Sequence, residues 1–309
     1  MALPKPAETR TRVETARALA ARLPDLLVAA KRIAANVLVG VHGRRQPGPG
    51  ETFWQFRPYI PGESARQIDW RRSARDEHLY VREREWEASQ TVWLWVDLSP
   101  SMDFRSRFAQ TTKLDRAVIL MLALADMLAR GGERVGIPGL AEARVRRDAA
   151  DRLADVLAHA SLTDDWPRID RVGRFAEMVV FSDFLADIET TRGRLRALAG
   201  RGASMHLLQV FDPVEEVFPF EGRLELRDPE SGAVKHTERA GGLRAGYHEK
   251  LELHRALIRS FARAAGSSFA VHHTDRPAVE GLLFLQSRLS GDAPYLGGQH
   301  SDRRERPAA

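Results

Sequence analysis

The sequence contains no cysteine among its 309 residues. That absence excludes disulfide bonds, iron–sulfur clusters, thiolate zinc sites and cysteine nucleophiles, and it removes any need for an oxidising compartment. A long hydrophobic run is also lacking, because the most apolar helical stretch, residues 117–129, is interrupted by Asp126 and is shorter than the roughly 20 residues of a bilayer span. Residues 1–15 have no apolar core typical of a signal peptide. The sequence therefore predicts a cytoplasmic protein without a membrane span.

Several motifs that mark enzymes are absent as well. The sequence has no Gly-x-Ser-x-Gly nucleophile elbow, no Walker A loop, no dinucleotide-binding glycine pattern and no His-Glu-x-x-His helix. Adjacent His272 and His273, at the end of a predicted strand, could ligate a metal, but neighbouring side chains of a strand point to opposite faces. These observations predict that the protein is not an enzyme and has no catalytic residues. A metal-dependent hydrolase stays open as an alternative, in which Asp97 and Asp183 would hold the cation.

Charge of one sign is not in large excess. The 47 Lys and Arg residues exceed the 42 Asp and Glu residues by only 5, which favours acidic partners weakly. Arginines and tryptophans are interleaved in residues 54–86, so a nucleic-acid-binding protein that uses this segment is a second alternative. Glu83, Glu85 and Glu87 dilute the positive charge there. Nucleic acid is therefore the less favoured partner.

Hydrophobic periodicity predicts an α/β fold, with a doubly wound, mainly parallel sheet and helices on both faces. Residues 91–97 form a continuous apolar run typical of a strand that is buried on both faces. Helices are predicted at 113–130, 149–160, 188–198, 243–264 and 277–289, and further strands at 134–138, 178–183, 205–211 and 268–272. Upstream, residues 8–22 and 25–39 predict two short helices that meet at Pro24, and residues 40–52 a loop.

This pattern divides the chain into three regions. Residues 1–90 are predicted to form an N-terminal helical and extended subdomain packed on the core. Residues 91–290 are predicted to form the α/β domain, with a hairpin insertion near 221–240 whose turn lies at residues 229–232. Residues 291–309 are polar and predict a disordered tail.

Polar side chains follow two of the predicted strands where each strand ends. Asp97, Ser99 and Ser101 form an Asp-x-Ser-x-Ser triplet after the first strand, and Asp183 ends a later one. In open α/β sheets the functional loops lie beyond the carboxyl ends of the strands. Two hydroxyls and two carboxylates suit a hard divalent cation, Mg²⁺ or alternatively Mn²⁺ or Ca²⁺, that keeps a free position for a partner's carboxylate. A plain structural role, in which Asp97 and Ser99 cap the next helix, is the alternative.

A longer signature precedes the triplet and resembles a known family. The pattern begins Phe-Arg-x-Tyr-x-Pro-Gly-Glu at residue 56, continues Ile-Asp-Trp-x3-Ala-Arg at residue 68, and ends Leu-Tyr-Val-Arg-Glu at residue 79. This pattern, followed by the Asp-x-Ser-x-Ser loop, is similar to that of the domain of unknown function 58 family over roughly residues 40–198. The resemblance implies a von Willebrand factor A-like domain with a metal-ion-dependent adhesion site. It also implies a protein partner, a MoxR-type AAA+ ATPase or another von Willebrand factor A-like protein in a chaperone-like system.

The family resemblance also implies roles for single residues. Asp97, Ser99 and Ser101 match the first adhesion-site motif, and Asp183 matches the third. The second motif supplies a threonine, for which Thr163 is the candidate here, although no Gly-Thr pair surrounds it.

The signature residues themselves support two hypotheses. They could form a buried, salt-bridged cluster that ties the N-terminal subdomain to the sheet, which the packing of Trp with Arg and Asp favours. Alternatively, they could form a recognition surface for a peptide or a nucleotide. The residues concerned are Arg57, Tyr59, Gly62, Asp69, Trp70 and Arg75.

Overall fold

The computed structural model of the chain describes residues 6–38, 47–60, 64–75, 78–85, 89–159 and 166–290. Contacts divide the chain into two compact units. We call Met1–Gly40 together with Thr91–Ala309 the sheet unit, and Val41–Gln90 the signature unit. The predicted N-terminal region, residues 1–90, is thus divided between the two units. The predicted tail, residues 291–309, lies outside the described residues.

The sheet unit begins with one long helix, α1 (Pro6–Leu38), which contains Pro24 in its interior. The prediction of two helices that meet at Pro24 is therefore wrong. The ring of Pro24 faces solvent, and the buried side chains keep the same helical spacing before and after it. Because the apolar stripe stays in phase, its packing offsets the roughly 3 kcal/mol that an interior proline costs. The stripe consists of Leu19, Leu23, Leu26, Ala30, Ala34 and Val37.

The signature unit is built on a two-stranded antiparallel sheet. Strand β1 (Pro47–Pro58) pairs with β2 (Tyr80–Glu85). The loop predicted for residues 40–52 is wrong in its second half, because β1 already begins at Pro47. Between the strands lie a 3₁₀ turn (Ala65–Gln67) and the single-turn helix α2 (Trp70–Ser73).

The sheet unit contains a six-stranded, mostly parallel sheet. Its strands are β3 (Thr91–Val96), β4 (Arg134–Ile137), β5 (Ala141–Arg144), β6 (Glu177–Ser182), β7 (Ser204–Phe211) and β10 (Ser268–His273). They lie in the order β10-β7-β6-β3-β4-β5, and only β5 runs antiparallel to its neighbour. From β3 the chain adds β4 on one side and then crosses to β6 on the other. The carboxyl ends of β3 and β6 therefore meet where the winding direction changes, which is where open α/β sheets bind ligands.

Helices flank this sheet. They are α3 (Lys113–Arg130), α4 (Ala149–His159), α5 (Ile188–Ala199), the short α6 (Pro213–Val217), α7 (Arg244–Ala264) and α8 (Ala278–Leu289). Helix α3 is apolar almost all round because α1, α4 and α8 cover it, while α5 packs against α7. Strands β8 (Leu224–Arg227) and β9 (Val234–Thr237) form the predicted hairpin between α6 and α7. The α/β class and the mainly parallel sheet are confirmed. None of the described helices is long and apolar enough to cross a membrane.

Candidate functional site at the carboxyl ends of β3 and β6

The Asp97–Ser101 loop begins where β3 ends. The amide of Asp97 donates to the carbonyl of Phe181 on β6 at 2.9 Å, which extends the pairing of the two strands by one residue. Asp183 follows β6 directly, so the structure brings the two predicted aspartates to adjacent strand ends. This adjacency follows from the parallel pairing of two apolar strands that each end in a carboxylate.

Hydrogen bonds fix the shape of the loop. One carboxylate oxygen of Asp97, Oδ1, accepts from the Ser99 amide at 2.9 Å, and the other, Oδ2, accepts from the Ser182 hydroxyl at 2.6 Å. The hydroxyls of Ser99 and Ser101 lie 3.1 Å apart. The structure therefore brings the predicted triplet together as one polar cluster. Ser182 belongs to it too, although the sequence analysis did not assign it a role.

The surroundings of Asp97 raise the pKa of its carboxyl group. Burial raises its pKa to about 6, and the negative charge of Asp183 adds to the rise. Hydrogen bonds from Ser182 and Ser99 lower the pKa without compensating for these effects. A carboxylate pair whose negative charge raises a pKa in this way is stabilised by a cation close to it.

Asp183 already has a cationic partner, which the sequence analysis missed. The ammonium of Lys113, at the start of α3, donates to Asp183 Oδ2 at 2.9 Å and to Glu215 Oε1 at 2.7 Å. Its side chain is only 1% exposed. Burial by itself would lower the pKa of Lys113, but the charges and hydrogen bonds of Asp183 and Glu215 outweigh it and raise that pKa.

Two sequence signals could have indicated this ion-pair cluster. Lys113 is one of only two basic residues, with Arg116, in the first four turns of a largely apolar helix. Glu215 is the last residue of an Asp-Pro-Val-Glu capping box that starts α6, in which Asp212 and Glu215 bond each other's backbone amides. The capping box directs Glu215 back towards the site. The contact between Glu215 and Lys113 is not evident from the sequence, because the two residues are far apart in the chain.

The donors present fit a hard cation at one side of the cluster. The hydroxyls of Ser99 and Ser101, with the Asp97 carboxylate, supply the oxygen ligands that Mg²⁺ prefers. Asp183 is held by Lys113 and by the Leu185 amide at 3.1 Å, so its contribution would be through a water molecule. Across the described residues no three His, Cys, Asp or Glu side chains are grouped to hold a metal. Thr163 lies outside the described residues.

Two further aspartates, Asp103 and Asp187, have partners of their own. Asp103 forms an ion pair with Arg22 at 3.6 Å, and Asp187 caps α5 by accepting from the Thr190 amide at 2.9 Å. Hydrolysis with two metal ions needs more clustered carboxylates than Asp97 and Asp183 alone provide.

The signature residues lie in their own unit, where they organise α2. Asp69 accepts from the Arg72 amide at 2.9 Å, and its own amide donates to Tyr80 at 2.8 Å. Trp70 is 62% exposed and Arg75 is exposed too, so the expected burial of these two residues is wrong. A neighbour on α2, Ser73, joins Asp69 to the same strand. The Tyr59 amide donates to the Leu79 carbonyl at 2.8 Å, and a guanidinium nitrogen of Arg57 donates to the Pro58 carbonyl. Gly62 lies outside the described residues.

Comparison with known proteins gives a family without an assigned activity. Uncharacterized proteins of Mycobacterium bovis and Mycobacterium tuberculosis are each 31% identical over 291 residues, which covers 88% of this chain and 90% of theirs. Two solved structures align at low similarity. The conserved hypothetical protein BatB of Bacteroides thetaiotaomicron is 18% identical, with a TM-score of 0.40, over 66% of this chain and all 100% of its own. An aerotolerance-related membrane protein of Bacteroides fragilis is 17% identical, with a TM-score of 0.38, over 63% of this chain and 97% of its own.

The family model described as "Protein of unknown function DUF58" matches residues 55–257. The match begins in β1 and ends in α7, and so includes the signature, the Asp97–Ser101 loop and the hairpin. The chain belongs to the DUF58 family.

Proposed function

We propose that the sheet unit is a von Willebrand factor A-like interaction domain, and that the Asp97–Ser101 loop is its metal-ion-dependent adhesion-type site. The observation that carries the proposal is the cluster of Asp97, Ser99 and Ser101 at the switch point of a parallel sheet, with the pKa of Asp97 raised by burial and by Asp183. The function is to bind a protein partner, and no reaction is catalysed. A MoxR-type AAA+ ATPase is the partner that the family resemblance favours.

Each residue of the proposed metal site would have its own role. Ser99 and Ser101 offer their hydroxyls on one side, and Asp97 supplies negative charge that its bonds to Ser182 and Ser99 hold in place. Bound Mg²⁺ would supply an electrophilic position for a partner's carboxylate. Lys113 keeps Asp183 fixed and neutralises part of the negative charge. Lys113 offsets one of the three negative charges of Asp97, Asp183 and Glu215, and Mg²⁺ would offset the other two, so the open position on the cation would attract an acidic ligand without opposing negative charge in excess.

The contacts of the serines fit the binding of a cation. The hydroxyl of Ser99 contacts that of Ser101, and the Ser99 side chain also bonds to the Asp97 carboxylate. Oxygen atoms grouped in this way are the ligands that a hard cation prefers. Lys113, the nearby amine, is held as an ammonium between two carboxylates.

Calorimetry and thermal unfolding test the metal site. We expect Mg²⁺ to bind the wild-type chain with measurable heat and to raise its Tm, because a ligand at about 100 times its Kd stabilises the folded state by about 2.7 kcal/mol. Asp97→Ala should lose both effects. Asp148→Ala is the matched control, since Asp148 is exposed and pairs with Arg146 at 2.7 Å away from the site. An equal response of wild type and Asp97→Ala to Mg²⁺ would contradict the proposal.

A pull-down from the native cell tests the partner. We expect the wild-type chain to recover an AAA+ ATPase in Mg²⁺, and to recover much less in EDTA or after Asp97→Ala. Recovery that is independent of both metal and Asp97 would keep the partnership and remove the adhesion-site mechanism. Recovery of no ATPase would remove the partnership.

Nucleic-acid binding by the signature unit is a second candidate, favoured by one observation. Trp70 is 62% exposed, and the neighbouring Arg71 and Arg75 are exposed as well. An exposed aromatic ring between arginines can stack on a base while the guanidinium groups contact phosphates. Such binding should weaken steeply as salt rises and should be insensitive to EDTA. Affinity for single-stranded oligonucleotides that is unchanged in Trp70→Ala would exclude this role.

A further inference from the structure

The hairpin β8–β9 reaches the Asp97–Ser101 loop. At its tip, Glu230 Oε1 accepts a hydrogen bond from the Ser101 amide at 3.1 Å, although the two residues are 129 positions apart. Glu230 therefore places a carboxylate beside the hydroxyl pair of Ser99 and Ser101. The contact is long-range, because the hairpin is an insertion between α6 and α7.

The turn that carries Glu230 is tightly hydrogen-bonded. Asp228 Oδ1 accepts from the Glu230 amide at 3.0 Å, and Asp228 Oδ2 accepts from the Ser231 hydroxyl. The backbone of Asp228 exchanges two further bonds, to Ala233 and from Gly232, each at 2.8 Å. Gly232 has a φ of 70°, a left-handed conformation that glycine adopts without strain. The turn thus presents the carboxylate of Glu230 in a defined position, and Glu230 is not a free side chain on a flexible loop.

The base of the hairpin is also fixed, while its strands are weakly held. Arg223 donates twice to Glu238, at 3.1 and 2.9 Å, and the Ala240 amide donates to the Gly222 carbonyl at 2.8 Å. Along β8 and β9 no side chain is buried. A two-stranded hairpin without a buried face is marginally stable and opens at little cost. The hairpin can therefore leave the loop without unfolding the sheet.

We infer that Glu230 is a built-in ligand of the Asp97–Ser101 loop, and that it occupies the place of the acidic side chain that a partner would offer. The inference rests on the proposed function, because that function makes the loop a carboxylate-binding site. Two carboxylates cannot share one position, since their like charges repel and the Ser101 amide has only one hydrogen. Binding of an acidic partner then requires the hairpin tip to withdraw, and the hairpin lowers the affinity for weak carboxylate ligands.

A thiol at the loop can report whether Glu230 excludes anions. Because the chain has no cysteine, Ser101→Cys introduces a single reactive group. Its alkylation rates with anionic iodoacetate and with neutral iodoacetamide are measured without metal, and their ratio is compared between variants. We expect Glu230→Gln to raise the iodoacetate-to-iodoacetamide ratio about fourfold, the effect of removing one charge about 5 Å away in water. The ratio cancels any change in the reactivity of the thiol itself.

Glu225→Gln is the matched control, since it removes the same charge from the same hairpin. Glu225 lies in β8, where it faces Arg227 at 3.7 Å and His236 at 3.9 Å. It should leave the ratio unchanged. A ratio that does not respond to Glu230→Gln, or that responds equally to Glu225→Gln, would overturn the inference.

Amide hydrogen exchange gives a second measurement that keeps Ser101 intact. In Glu230→Ala we expect faster exchange in residues 99–103 than in the wild type, because the Ser101 amide loses its acceptor. Glu225→Ala should match the wild type. Unchanged exchange in Glu230→Ala would refute the contact. Both measurements are made without metal. If Mg²⁺ failed to bind, the proposed metal site would be excluded, and the contact between Glu230 and the loop would still be tested independently.

Discussion

Replacement of Lys113 by methionine tests whether the buried ion-pair cluster holds the site together. Methionine is unbranched and one atom shorter than lysine, and it removes the ammonium that lies 2.9 Å from Asp183 and 2.7 Å from Glu215. Two carboxylates then remain beside a space from which water is largely excluded, since Lys113 was 1% exposed. Either both must stay charged without a partner or one must take up a proton, and each outcome costs free energy.

The structure gives the magnitude of this loss through a comparison of two lysines. Removal of one partner from a buried pair costs about 3–5 kcal/mol, and we expect Lys113→Met to fall in that range. Lys31 donates to Asp151 at 2.7 Å, a similar distance, but the two side chains are 40% and 48% exposed. An exposed pair contributes about 0–1 kcal/mol. Lys31→Met therefore controls for the loss of a lysine ion pair as such.

Urea unfolding provides the assay. Trp93 and Trp95 are buried in β3, so their fluorescence reports the packing of the sheet next to the site. A triple variant, Lys113→Met with Asp183→Asn and Glu215→Gln, removes all the charges together and should recover most of the stability, because no buried carboxylate is left unpaired. A loss in Lys113→Met no larger than that in Lys31→Met would refute the reasoning.

Two further predictions concern positions near the sheet. Burial lowers the pKa of His272 to about 3, so this ring is neutral in the folded protein, whereas the unfolded chain binds the proton below about pH 6.5. Stability should therefore fall as the pH falls below 6.5, by about 2 kcal/mol at about pH 5, and His272→Gln should lose this pH dependence in urea titrations. Gly136→Ala should destabilise by about 1–3 kcal/mol, since its Cβ would lie 2.6 Å from the backbone of Ala141. Gly193→Ala, with nothing within 4 Å, should instead stabilise α5 by up to about 1 kcal/mol, and equal melting temperatures for the two variants would contradict this.

Strong local patterns made the core of the fold predictable. Helix α3 has the same bounds in the sequence analysis and in the structure, Lys113–Arg130, because an apolar run is followed by Gly131 and Gly132. The hairpin was likewise marked by a Pro and Gly turn between two alternating segments. Strand β5 was missed since its sequence, Ala-Glu-Ala-Arg, is short and contains no β-branched residue. Pro24 led to the wrong prediction of two helices, because tertiary packing outweighs the tendency of proline to interrupt a helix.

The site was predictable only where its residues directly follow an apolar strand. The Asp97–Ser101 triplet and Asp183 follow apolar strands, and their strand ends are neighbours in any parallel sheet of this order. Lys113 and Glu230 could not be found in the same way. Lys113 contacts Asp183 and Glu230 contacts the Ser101 amide, in each case through one side chain from a distant element, and such a contact depends on packing that no periodicity records.

The division of the chain has a consequence for synthesis. The first 40 residues belong to the sheet unit, yet residues 41–90 form the other unit before β3 begins. On the ribosome, α1 therefore emerges well before α3 and α4, the helices against which it later packs. Its apolar stripe stays without these partners until they have been synthesised. No single cut separates the two units. A shortened chain that starts at Thr91 would keep every strand of the large sheet and still expose apolar surface on α3, so we expect it to aggregate.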